Sequence, residues 1–133
     1  MEYLIGLGLA LAVGLFARFV GLDRDRGFYP TVMIFIAVLY GLFAILGKSM
    51  TTLGLESVIG AGFILTAVLG FKRNLWLVVA ALAGHGVFDF VHEHLFANPG
   101  VPVWYPGFCG TYDVVAAGWL AWLIRSGRTK AAS

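Results

Sequence analysis

Gly21-Leu-Asp-Arg-Asp-Arg-Gly-Phe-Tyr-Pro30 packs four charges into ten residues between two long apolar runs. Its reading decides the fold. A charged, glycine-bounded stretch of this length is a loop. Pro30 suits the first turn of the helix that follows, because its missing N–H would have no partner there anyway. Outward from this loop the chain divides into five apolar segments, at 3–20, 30–47, 53–71, 75–95 and 107–124. Each is near the ~20 residues that a helix needs to cross ~30 Å of hydrocarbon. The spacing therefore predicts an all-α, polytopic transmembrane bundle of five spans, folded as one domain over residues 1–133.

Charge placement orients the bundle. Of the nine Lys and Arg residues, Arg18, Arg24, Arg26, Lys72, Arg73, Arg125, Arg128 and Lys130 fall on one side, and Lys48 alone falls on the other. Short loops rich in Lys and Arg stay in the cytoplasm, which predicts an outside N-terminus and a cytoplasmic C-terminus. Composition agrees: 133 residues that are 60% hydrophobic and 12% charged, with a mean hydropathy of +0.90, lie outside the range of soluble domains. The net charge of +2 is carried by loops and forms no aromatic-interleaved basic patch, so nucleic acid is not an expected partner. The first segment lacks a positive leader and carries Glu2, and it reads as a span rather than a cleavable signal. The single cysteine, Cys109, leaves no intramolecular disulfide and reads as a small core residue.

The chemistry concentrates between Gly84 and Asp113, in GHGVFDFVHEHLFANPGVPVWYPGFCGTYD. His85, Asp89 and His92 stand at i, i+4 and i+7 and share one helix face. Ionisable groups in a bilayer are expensive and turn towards the bundle interior. Glu56, early in the third span, and Asp113, two turns into the fifth, come to the same outer half of the membrane. Helices three to five are thus expected to gather Glu56, His85, Asp89, His92 and Asp113 into one outward-facing site, with the first two helices peripheral. His94, two residues beyond His92, diverges from that face. The rigid outer loop of His94, Asn98, Pro99, Gly100, Pro102, Trp104, Tyr105 and Pro106 reads as an interfacial anchor or as a lid over the site.

Imidazoles and carboxylates together are suitable ligands for a divalent metal ion, zinc by default. The expected ligands are His85, His92 and Asp113, with Asp89 or Glu56 as general base for a metal-activated water. A hydrolase-like membrane enzyme acting on a lipid or other amphiphile follows from that assignment. Three alternatives use the same residues: a metal-free hydrogen-bonded network, an ion or proton translocator, and a small accessory or haem-binding subunit. In the last, bis-His ligation would need a second copy of the chain, so a homo-oligomer is among the expected states. The cytoplasmic halves of the later spans hold few polar groups, Thr66 being the main one, and this favours a dead-end site over a conduit.

The runs HGVFDFVHEH, PGVPVWYPGFCGTYD and GLDRDRGFYP resemble a family of small bacterial polytopic inner-membrane proteins of unknown function. The resemblance spans nearly the whole chain. It implies a multi-pass protein of the bacterial inner membrane, and no activity.

Overall fold

The computed structural model describes residues 1–95 and 98–132, with Glu93 by its backbone alone. Five helices follow in order: α1 Glu2–Val20, α2 Phe28–Leu46, α3 Met50–Lys72, α4 Trp76–Leu95 and α5 Tyr105–Arg125. By length and composition α1, α2, α3 and α5 can each cross a membrane. α4 is of similar length, 20 residues, but carries His85, Asp89 and His92, all buried.

Local chemistry sets the helix ends. Gly21 stops α1 in the left-handed conformation (φ 89°), where its N–H closes on the Ala17 carbonyl; that φ favours a residue without Cβ. Pro30 sits in the first turn of α2, as its spacing predicts. Ser49 caps α3 by accepting a hydrogen bond from the Thr52 amide, which satisfies one of the orphan N–H groups of the first turn. Asn74 does the same for α4, its Oδ1 accepting from the Trp76 amide at 2.9 Å.

The most extensive contacts join α4 to α5, α2 to α3 and α1 to α5, and α3 to α4 closes the order α2–α3–α4–α5–α1. Close crossings use small residues, as expected where packing rather than hydrophobic exclusion holds helices together. A Cβ on Gly60 would stand 2.9 Å from the Ala37 carbonyl oxygen, and one on Gly110 would stand 2.8 Å from the Phe90 ring. α1 is the peripheral helix: Leu4, Leu15, Phe16 and Phe19 are exposed, Phe19 to 92%. Such a belt suits hydrocarbon and not water.

The two ends of the bundle differ. At the end where α1 meets α2, Met33, Val78, Leu82, Leu120 and Leu123 are fully buried and form an apolar core. Below them the charged loop does not simply pair with itself. Asp23 is buried against Arg18, 3.3 Å away. Arg26 donates to three carbonyl oxygens, those of Phe71 (2.6 Å), Lys130 (3.1 Å) and Ala131 (3.0 Å). Thr129 Oγ1 donates to the Asp23 carbonyl at 2.6 Å, and the Leu75 amide to that of Ala131 at 2.7 Å. The planar fork of arginine, with five fixed donors, is suited to this clasp.

At the opposite end the 98–104 segment turns inward. Asn98 Nδ2 donates to the Tyr40 carbonyl (3.0 Å) and to Glu56 Oε2 (2.8 Å), and Val101 packs against the core. Val103 and Trp104 stay exposed. The segment caps the polar half of the bundle.

Candidate functional site

α4 supplies the spine of the site. His85, Asp89 and His92 are 1%, 0% and 2% exposed, Glu56 of α3 is 3% and Asp113 of α5 is 0%. The five residues expected to converge all lie in the bundle interior. They divide into two groups.

In the first group His85 Nδ1 hydrogen-bonds to Asp113 Oδ2 at 2.8 Å and stands 3.4 Å from Asp89 Oδ2. One ligand atom from each of His85, Asp89 and Asp113 falls within 4.8 Å of the others. The Cys109 thiol, one turn before Asp113, lies 3.8 Å from Asp113 Oδ1. Asp89 is singular. Although it is fully buried, neither carboxylate oxygen has a hydrogen-bond partner among the described residues. Buried polar atoms nearly always have one, and leaving one without costs about 1–3 kcal/mol. The hydroxyls of Tyr40 and Tyr105 are buried and likewise have no hydrogen-bond partner among the described residues.

In the second group His92 Nε2 faces both oxygens of Glu56, at 3.0 and 2.9 Å, and Asn98 completes the cluster through Glu56 Oε2. The ligand set expected from spacing was His85, His92 and Asp113. The structure instead groups His85 and Asp113 with Asp89, and pairs His92 with Glu56. The reason is helix rise: seven residues return to one face but climb ~10 Å, too far for one ion held at ~2 Å by both imidazoles.

Tyr40 of α2 lies between the groups. Its ring stacks on His92 with centroids 3.9 Å apart and planes 5° from parallel, and its centroid is 6.1 Å from that of His85. Tyr105 and Phe88 meet the Tyr40 ring edge-on, and Phe63 meets His85 in the same way at 4.8 Å. α2 is therefore central to the site, contrary to its expected peripheral place. The sequence did carry a signal, a tyrosine in the middle of an otherwise apolar span. Asn98 was placed in the loop by the sequence but not in the Glu56 cluster. His94 is exposed, off the buried face, as its spacing predicts.

A divalent metal ion fits the first group on three counts. Two carboxylates and one imidazole bring more negative than positive charge into a dry interior, which a cation offsets. Asp89 holds unclaimed lone pairs. Two ligands at ~2.0–2.1 Å from a tetrahedral zinc stand ~3.3 Å apart, close to the 3.4 Å between His85 and Asp89. The 2.8 Å His85–Asp113 separation is hydrogen-bond spacing, and it must open by ~0.5 Å to share an ion.

Comparison of the chain with protein-family models, with curated proteins and with solved structures returns no match. What it does must be argued from its own geometry.

Proposed function

We propose that this chain is a five-span membrane protein that binds a divalent metal ion, zinc by default, through His85, Asp89 and Asp113. The observation that carries the reading is Asp89: fully buried, beside a second carboxylate and 3.4 Å from an imidazole, with neither oxygen in a well-formed hydrogen bond among the described residues. In the bilayer the chain runs from an outside N-terminus to a cytoplasmic C-terminus, as the charge bias of its loops supports, and the cluster lies in the outer half. The resemblance noted above favours the inner membrane of a bacterium.

Three protein ligands leave a fourth position for water, the pattern of catalytic zinc sites. A bound zinc supplies Lewis acidity and lowers the pKa of that water. Asp89 then acts as a ligand rather than a base. Glu56, held by His92 and Asn98 in the second group, would be the remaining carboxylate, reaching a proton from bound water only through an intervening group. The proposed activity is hydrolysis of a lipid or other amphiphile reaching the site from the bilayer. The fully buried apolar residues Met33, Val78, Leu82, Leu120 and Leu123 separate the cluster from the other end of the bundle. That arrangement supports a dead-end site over a proton or ion conduit.

Elemental analysis of gently purified protein in detergent tests the proposal. About one zinc or similar divalent ion per chain is expected. A stoichiometric absence, persisting after incubation with zinc, sinks the metal reading and moves the proton-relay alternative ahead.

A further inference from the structure

A groove of about 230 Å³ opens between α2 and α3. Its walls are small or apolar: Ala37, Val38, Gly41, Gly60, Ala61 and Ile64, with Glu56 and Ser57 at one end. Val38, Leu42, Val58 and Leu65 on the same two helices are exposed, and this side of the bundle faces hydrocarbon in a membrane. Inward, the groove meets a narrower interstice, too tight for a water molecule, bordered by Tyr40, Phe63 and His85. Ala37, Glu56 and Gly60 border both. One continuous line thus leads from the lipid side, past Glu56, to the imidazole of His85.

The hydrogen-bonding inventory says what can occupy it. The His92 Nε2 and Asn98 Nδ2 donors that reach Glu56 are spent on it and on the Tyr40 carbonyl. A carboxylate has about four acceptor sites, and Glu56 has capacity left. An occupant that bonds the Glu56 carboxylate must bring the donor itself. The volume lies below the ~300–1,000 Å³ of pockets that enclose a whole ligand, so the groove takes one end of a molecule whose body stays in the bilayer. We infer that the α2–α3 groove docks a membrane-dissolved alcohol, its hydroxyl donating to Glu56 and its chain extending into the lipid. An alcohol is what hydrolysis of an ester-bearing amphiphile releases, so the groove would hold the product side of the reaction proposed above. The docking rests on the chain spanning a membrane and not on the metal.

Photolabelling in phosphatidylcholine vesicles tests it. Two probes are compared, a long-chain alkanol bearing a diazirine near its hydroxyl and the matching methyl ether. The alkanol is expected to label residues 37–41 and 60–64 at least about tenfold more strongly than the ether, the factor given by one hydrogen bond to a charged acceptor. Glu56→Leu should bring the alkanol down to the ether. Ala61→Trp, at an exposed position on the groove wall, should abolish labelling by both probes there while zinc content stays unchanged. Protein that sediments with the vesicles yet labels equally with both probes, in wild type and in Ala61→Trp, overturns the docking alone. Protein that does not partition into the vesicles overturns the membrane reading and the docking with it.

Discussion

Tyr40 lies flat on His92, ring centroids 3.9 Å apart and planes within 5° of parallel. The same residue accepts a hydrogen bond at its carbonyl from Asn98, which also holds Glu56. One residue of α2 thereby bears on both, its ring on α4 and its backbone carbonyl on the capping segment. Its hydroxyl contributes nothing to either contact, being buried without a partner among the described residues.

Tyr40→Phe and Tyr40→Ala should therefore part company. The phenylalanine variant keeps the stack and sheds an unpartnered hydroxyl, so its thermal midpoint without metal should equal or exceed that of wild type. The alanine variant leaves a cavity, for which about 3–5 kcal/mol is the usual loss on removing a buried aromatic. Equal destabilisation of both in detergent melts would show that the hydroxyl, and not the ring, is what matters.

The two aspartates of the metal group should respond with opposite signs. In metal-free protein, Asp113→Ala removes the partner of His85 Nδ1 and should lower stability by about 1–3 kcal/mol. Asp89→Asn takes away a buried carboxylate whose one contact, to His85 at 3.4 Å, is not a well-formed hydrogen bond, and should be neutral or stabilising. With zinc present at 100 times its dissociation constant, wild type should gain about 2.7 kcal/mol. Asp89→Asn and His85→Ala should lose that gain, and His92→Ala should keep it, because His92 is turned to Glu56. Melts with and without zinc read all of these together.

Orientation is open to a direct reporter assay. A C-terminal fusion to a protein active only in the cytoplasm should work, and one to a protein active only outside should be silent. The reverse pattern would place Glu56 and His92 at the cytoplasmic half and defeat the outward-facing site.

Gly100 should tolerate no side chain. A Cβ there would overlap the Phe43 carbonyl oxygen, and backbone on both sides leaves no flexible atom to yield. Gly100→Ala should destabilise by about 1–3 kcal/mol, the usual penalty for overpacking, and should loosen the Asn98 contacts. Faster proteolysis within the 98–104 segment of the variant is the accompanying readout. Gly54→Ala is the control, since nothing lies within 4 Å of a Cβ at that position.

Much of this was legible in the sequence. The five helices follow from apolar length, and the shared face of His85, Asp89 and His92 from helical period alone. Helical period states which residues share a face and leaves their height to be worked out. That is why His92 was grouped with His85, though the two stand two turns apart. Tyr40 and Asn98 were harder to place because their roles depend on which helices touch. A central α2 is a property of packing, and within 28–46 only Tyr40, a polar residue in an apolar run, hints at it. The Arg26 contacts were beyond reach for a related reason: their acceptors are backbone carbonyls, which every residue has.

Those carbonyls impose a timetable on assembly. Two of the three groups that hold Arg26 belong to Lys130 and Ala131, which are made about a hundred residues after the arginine. Throughout synthesis the loop between α1 and α2 has its guanidinium in place and most of its acceptors missing. Residues 130 and 131 fasten the loop between α1 and α2, so the clasp forms only once α5 has been made, and with it the ends of α2, α3 and α5 are joined.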